Sequence, residues 1–296
     1  MTTQVLSIAL PADYRSADVL AFHARDAEGL AEQVDGARLR KAVLLGGVPV
    51  LFDVALAPKT AECRMTADGP LGTATQALAE EALRNILALR IDPAPFADFV
   101  RDDPLFAPLV ARQPGLRIVQ SATVFEALTW AIIGQQINLP FAISLRRTFI
   151  EQAGRAHSSG LWCYPEAQDV ARLELDTLTS RKFSRAKAET LLRVARMADA
   201  GELDLAQDDD PARTAQALLA IKGIGPWTVN YTLLRGYGYA DCSLEGDVAV
   251  RGALGRLLGE TEKPGLARTQ AWLAQYSPHR TMAAAYLWAS LSQTAG

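Results

Sequence analysis

The 296-residue chain predicts an α+β fold in which an N-terminal antiparallel sheet domain with helices precedes a longer region built of helices. Three observations predict it. Strand-length apolar runs are confined to the first 70 residues, helical periodicity takes over near Thr75, and the remainder of the chain is helix punctuated by short Gly, Pro and Asp breaks. At roughly 150 residues per domain the length suits two domains. The break Asp92-Pro93-Ala94-Pro95 puts their boundary near residue 91, giving 1–91 and 92–296.

Val5-Leu-Ser-Ile-Ala-Leu10 reads as a strand, and residues 41–45 and 48–56 read as two more about the Gly46-Gly47 turn. Between them, Asp13 to Val34 carries Val19, Phe22, Leu30 and Val34 in an alanine-rich, charged background and reads as an amphipathic helix. Leu78, Ala82, Ile86 and Leu89 mark one face of the next helix. Thr123-Val-Phe-Glu126 is a capping-box pattern opening a helix that closes at Gly134, and Pro140 restarts helix. Asp208-Asp-Asp210 before Pro211 caps another, because acids suit the positive end of the helix dipole and Pro suits the first turn. Residues 181–196 hold six basic residues and one acid, the strongest local positive charge in the chain. A solvated helix face and a phosphate contact are equally good readings of it.

Composition narrows the function classes. Thirty Lys and Arg against 33 Asp and Glu leave a net charge of −3, so no global basic field advertises a nucleic-acid partner. Cys63, Cys163 and Cys242 are odd in number and far apart, which suggests neither a disulfide framework nor a zinc site. His23, His157 and His279 are equally scattered and read as packed or surface residues. The first eleven residues lack a basic segment, and no apolar run approaches transmembrane length, so a soluble cytoplasmic protein is expected.

The most informative segment is Ile221-Lys-Gly-Ile-Gly-Pro-Trp-Thr228, which lies between a helix carrying Leu218 and Leu219 and a second helix starting at Pro226 and ending near Gly236. Two glycines around one apolar residue permit a tight turn. Ile224 then anchors in the core while bare backbone N–H groups of the turn face outward at a helix N-terminus, a geometry suited to phosphate oxygen and needing no positive side chain, with Gly223, Ile224 and Gly225 as the contacts. A simple turn between helices with Gly as C-cap is the bland alternative. A dinucleotide-binding glycine motif fits poorly, because Thr228 stands where its third glycine belongs and the preceding segment is helical.

Lys222 to Tyr231, then Ser243-Leu-Glu-Gly-Asp247, together with Phe125-Glu-Ala-Leu-Thr-Trp-Ala-Ile-Ile-Gly-Gln-Gln136 upstream, resemble the helix-hairpin-helix DNA glycosylases, and within them the DNA-3-methyladenine glycosylase II branch. The helical resemblance runs from about Arg112 to Trp288, and the first 91 residues fit that branch's sheet domain more loosely. It implies an all-α core of two lobes with the base pocket in the cleft between them, the hairpin at 221–226, and excision of alkylated bases from double-stranded DNA by a monomer. A non-catalytic helix-hairpin-helix module that senses damaged DNA, and a glycosylase for oxidised purines, are the alternatives.

The resemblance implies that Asp247 is the catalytic carboxylate, where the bland reading is an N-cap, with Glu245 as the fallback. A carboxylate suits the chemistry, because breaking a base–sugar bond builds positive charge on the sugar. Trp227, Tyr231 and Trp288 are implied as the base-stacking faces, with Phe22 contributing from the sheet domain; each alone would be read as core. Gln136 stands where that branch implies an aliphatic wedge, so the wedge is Gln136 or Ile137. Family members that also cut the backbone carry a lysine two residues after the second hairpin glycine. Trp227 occupies that position, which implies hydrolysis alone. Relatives with an iron–sulfur cluster carry cysteines after the aspartate, and the last cysteine here is Cys242, so no cofactor is required. A monovalent cation at the hairpin backbone is the one ion the resemblance allows.

Overall fold

The computed structural model describes residues 2–206 and 210–292. Five antiparallel strands, β1 (Thr2–Ala9), β2 (Glu32–Asp35), β3 (Arg38–Leu45), β4 (Val48–Leu56) and β5 (Thr60–Ala67), form one sheet in the order β1-β5-β4-β3-β2. Alternation makes β5 a strand, with Ala61, Cys63, Met65 and Ala67 buried and the residues between them facing outward. β3 and β4 pair from Arg38 with Ala55 to Leu45 with Val48 around Gly46-Gly47. The inner face of the sheet, with Val50, Phe52 and Val54, packs on Ala79, Ala82, Leu83 and Ile86 of helix α2 (Thr73–Ile86).

Sheet and helices are thus as the sequence predicts, but three elements differ. The single helix expected from Asp13 to Val34 is only α1 (Ser16–His23). Asp26 Oδ1 accepts the Glu28 amide at 3.2 Å, Gly29 turns through a φ of +61°, and the chain enters β2 as the sheet edge. The cause is Glu32, which is buried opposite Lys41 in the β2–β3 ladder, where a continued helix could not bring it. Neither β2 nor β5 is among the strands that the sequence predicts.

The later region is not purely helical. It comprises α3 (Ala94–Phe99), α4 (Phe106–Arg112), α5 (Val124–Gly134) and α6 (Leu139–Ala153), then a ribbon of β6 (Arg155–Ala156) and β7 (Trp162–Cys163). Tyr164 bridges from that ribbon to Val43 of β3, so the helical region touches the sheet through backbone as well as side chains. There follow α7 (Ala167–Ala171), α8 (Leu175–Thr179), α9 (Arg185–Asp199), α10 (Pro211–Leu219), α11 (Pro226–Thr232), a π-helical turn (Leu233–Tyr237), α12 (Val248–Leu257), α13 (Leu266–Ala274) and α14 (Arg280–Ser292). Asp210 caps α10 through the Ala212 amide at 2.9 Å, whereas Asp208 and Asp209 lie outside the described residues. Cys63, Cys163 and Cys242 are buried and free. Among the described residues no helix is long and apolar enough to cross a membrane.

Sheet and helices are locked by a buried ion cluster. Lys41 Nζ lies 3.3 Å from Glu32 Oε2 and 2.9 Å from Glu126 Oε1, and Arg146 Nη2 lies 2.9 Å from Glu32 Oε1 and 2.8 Å from Glu126 Oε1. His23 spans Glu32 Oε2 at 2.6 Å and the Ile86 carbonyl at 3.0 Å. Glu126 therefore does only half of the capping-box task. Thr123 accepts the Glu126 amide at 3.1 Å, but the carboxylate turns to the Ala122 amide, Lys41 and Arg146. Burial alone would raise the Glu32 and Glu126 carboxyls, but Lys41 and Arg146 outweigh it and hold both below the usual range.

Lys41→Met leaves two buried glutamates sharing one guanidinium. Breaking a buried pair costs about 3–5 kcal/mol, and urea denaturation of the variant near neutral pH is expected to show a loss of that order. Because the folded-state carboxyls lie below the unfolded value of about 4.3, their contribution is full above that pH and is lost as pH falls through the folded values. The difference between wild type and variant should therefore shrink on acidification. A difference that held constant down to about pH 3 would show that the cluster is not ionised.

Candidate active site

The hairpin is held from behind. Ile221 and Ile224 are buried, and the Ile224 amide donates to the Ile221 carbonyl at 3.1 Å, so that N–H is not available to a ligand. Gly223 has φ +99°, and a Cβ there would stand 2.2 Å from Thr190 Oγ1 of α9. Gly225 is different: its backbone is extended, and a Cβ would meet nothing within 4 Å. Gly223 is thus required by the fold, while Gly225 keeps open the space in front of α11. Among the described residues neither glycine amide has a protein acceptor, and both glycines line a cleft of about 980 Å³.

Two of the hairpin carbonyls accept from side chains. Arg193 Nη1 donates to the Lys222 carbonyl at 2.8 Å and Gln135 Nε2 to the Gly223 carbonyl at 3.0 Å. The guanidinium brings positive charge to the Lys222 carbonyl, whereas the Ile224 carbonyl meets no donor among the described residues and is left open to the monovalent cation that the resemblance allowed.

Asp247 lines the cleft as the N-cap of α12, so the bland reading of it holds. Its Oδ1 accepts the Ala249 and Val250 amides, each at 2.9 Å, and the Trp288 indole N–H at 3.1 Å. Its Oδ2 accepts only the Trp227 indole N–H at 3.1 Å. Oδ1 is saturated by three donors, which leaves Oδ2 the oxygen with lone-pair capacity towards the cleft. The loop before it is fastened on two sides. Asn230 Oδ1 of α11 accepts the Ser243 amide at 3.1 Å, and Thr281 Oγ1 of α14 accepts the Cys242 amide at 2.9 Å.

The aromatic residues converge as well. Trp227 and Tyr231 lie with ring centroids 5.2 Å apart, and Tyr231 accepts from the Trp130 indole at 3.2 Å. Trp227, Tyr231 and Trp288 line the cleft; Phe22 does not. It lies behind the wall, with the Arg25 guanidinium 3.5 Å and the Arg235 guanidinium 4.8 Å from its ring centroid. Those two arginines line the cleft in its place, and burial pulls Arg25 down to about 10. Glu245 is not among the lining residues.

Gln136 and Ile137 stand at the lip. Gln136 is exposed and holds the left-handed conformation, φ +56°, whereas Ile137 is half-buried against the helical core. The basic run at 181–196 is largely committed within the fold. Arg181 donates to the Thr177 carbonyl, Lys187 to that of Ile133, Arg193 to that of Lys222, Arg196 to those of Ala171 and Leu173, and Arg185 pairs with Glu189.

Sequence reasoning missed Arg25, Arg235, Trp130 and Gln135. Gln135 bridges α5 to the hairpin by donating also to Thr228 Oγ1 at 2.9 Å. Its place beside Gln136 at the end of a helix was a usable signal. Arg25 had none, since it lies in a turn and meets its neighbours only through the tertiary fold.

Comparison with known proteins gives two family matches. Residues 5–122 match the AlkA N-terminal domain, and residues 129–278 match the HhH-GPD superfamily base excision DNA repair protein family. The chain is 31% identical over 202 residues to a DNA-3-methyladenine glycosylase of Bacillus subtilis, covering 67% of each chain. A 3-methyladenine DNA glycosylase from Archaeoglobus fulgidus superposes with a TM-score of 0.80 at 22% identity, covering 96% of this chain and 97% of that one. The Schizosaccharomyces pombe 3-methyladenine DNA glycosylase solved with abasic DNA gives 0.55 at 22% identity, over 63% and 90%.

The two hairpin glycines should separate in a denaturation experiment without ligand. Gly223→Ala is expected to lose about 2–4 kcal/mol, from a left-handed alanine and the overlap with Thr190. Gly225→Ala should stay within about 0.5 kcal/mol of wild type, as for a substitution into open space. Equal losses would mean that Gly225 also serves the fold.

Proposed function

The chain belongs to the HhH-GPD superfamily of base excision DNA repair proteins, and from that premise we propose that it is a monofunctional DNA glycosylase hydrolysing the N-glycosidic bond of alkylated bases such as 3-methyladenine. The observation that carries this reading is the Asp247 carboxylate, pinned by two indoles and two amides with one oxygen towards the cleft. A module that only bound DNA would gain nothing from a fixed anion near phosphates.

In this reading the Gly223 and Gly225 amides hold the DNA backbone, and Gln136, exposed at the lip, fills the gap left when the damaged nucleotide is turned out; Ile137 is held by its packing. The base enters between Trp227, Tyr231 and Trp288. As the base–sugar bond breaks, positive charge builds at C1′, and Asp247 Oδ2 stabilises it and orients the water that adds there. Trp227 stands at the position of the lyase lysine and cannot form an imine. Phe22 acts from behind, by supporting Arg25 and Arg235. We place the domains at 1–91 and 92–296, and the protein as a monomer in the cytoplasm, on the nucleoid. The abasic DNA bound by the S. pombe neighbour supports DNA as the ligand here, and we take the double-stranded form.

Incubation with methylated DNA is expected to release free alkylated bases. Asp247→Asn should keep the fold, since Asn caps helices as well as Asp, and keep damaged-DNA binding, while base release falls at least about 100-fold. Release at the wild-type rate would remove Asp247 from the mechanism.

Borohydride is expected to trap no covalent protein–DNA adduct, and product strands should break only after alkali or heat. Efficient trapping abolished by Lys222→Ala would make that lysine a displaced nucleophile and the enzyme a lyase.

A further inference from the structure

The donors on the aromatic wall of the cleft are all committed except one. Trp130, Trp227, Tyr231 and Trp288 are its aromatic lining residues. An indole has a single N–H and no acceptor. Those of Trp227 and Trp288 go to Asp247, at 3.1 Å each, and that of Trp130, on α5, goes to the Tyr231 hydroxyl, on α11, at 3.2 Å. A phenol can both accept and donate, and the Tyr231 oxygen here only accepts, because its O–H meets no acceptor among the described residues.

The direction of that proton is restricted. Conjugation with the ring keeps a phenolic O–H near the ring plane, where it has two orientations. A donor on one side of the oxygen disfavours the orientation that would bring two hydrogens together, so the Trp130 indole turns the Tyr231 proton to the other side. The ring is itself held by neighbours, with the Trp227 centroid 5.2 Å and the Arg235 guanidinium 5.7 Å from its own centroid. Tyr231 therefore offers the cleft a fixed hydroxyl whose proton is unspent.

Resting on the glycosylase reading, we propose that Tyr231 is a catalytic residue and not only a wall, donating its O–H to an acceptor atom of the flipped base, and that Trp130 positions that proton. When the bond from C1′ to the base nitrogen breaks, its electron pair goes to the base, while the water oxygen adds at C1′ and releases one proton by way of Asp247 to solvent. An N-methylated purine thus changes from cation to neutral base, and its unmethylated ring nitrogens and any carbonyl oxygen become better acceptors as it goes. A hydrogen bond to one of them is stronger in the transition state than in the bound substrate, which is the condition for raising the rate. The phenol keeps its proton throughout. Being neutral, it supplies a donor without repelling a cationic base.

Tyr231→Phe keeps the ring and removes the hydroxyl. Single-turnover release of 7-methylguanine from a duplex, at saturating protein, is expected to fall roughly 3- to 10-fold, the worth of one neutral hydrogen bond. Binding to a duplex carrying a tetrahydrofuran abasic analogue, which has no base, should stay as in the wild type. Trp130→Phe removes the positioning donor and is expected to lower release roughly 2- to 5-fold by itself and to change nothing further in the Tyr231→Phe background. Trp130→His serves if that variant does not fold, and its loss should vanish in the same background. Factors that multiply would make Trp130 a packing residue and overturn its role. A matching loss of binding to the abasic duplex would overturn the proposal and assign the hydroxyl to the sugar–phosphate backbone. Unchanged release by Tyr231→Phe would overturn it while leaving the glycosylase reading intact, whereas release of no base by the wild type would overturn both.

Discussion

Two buried glutamates set the frame on which the rest of this molecule depends. Glu32 belongs to the sheet and Glu126 to the first turn of α5, and Lys41 and Arg146 each contact both. A charge stranded without its partner in such a place costs several kcal/mol, so sheet and helices cannot slide past one another by even one side chain. The same cluster reaches the cleft from two directions. Its His23 ends α1, which delivers Phe22 and Arg25 to one wall, and its Glu126 opens the helix whose far end carries Gln135 and Gln136.

Within the cleft, structural duties fall on the very atoms that the proposed chemistry would use. Asp247 terminates a helix with one oxygen and faces the open space with the other, and the two tryptophans that would be read as core packing also fix that carboxylate in place. The bland and the functional readings are therefore not rivals at this residue. A helix cap is a convenient way to hold an anion rigidly, because its backbone donors are already oriented before any substrate arrives.

Whether a feature is legible in the sequence depends on the range of the interactions that make it. The hairpin, the capping of α5, α10 and α12, and the helix boundaries at Pro93 and Pro226 depend on residues within a few positions of each other, and they are visible as patterns. The strand β2 is hidden, because its defining residue, Glu32, is explained only by Lys41, Glu126 and Arg146. Net charge is similarly uninformative about the cleft. The basic run on α9, conspicuous in the sequence, is absorbed by backbone carbonyls, whereas Arg25 and Arg235, isolated in the sequence, stand where a ligand would. Gly223 and Gly225 look alike in the chain and differ in backbone conformation and in the approach of Thr190, which lies more than thirty positions away.

Gln136 carries a consequence for anyone wishing to make this protein hardier. A non-glycine residue held at φ +56° costs about 1–2 kcal/mol, so a glycine at that position is the most obvious thermostabilising substitution on the lip of the cleft. It would also delete an exposed side chain at that lip. If Gln136 fills the gap in the duplex as proposed, heat tolerance and grip on DNA trade against each other at a single backbone torsion, and a screen for robustness alone would drift towards a protein that folds better and flips less.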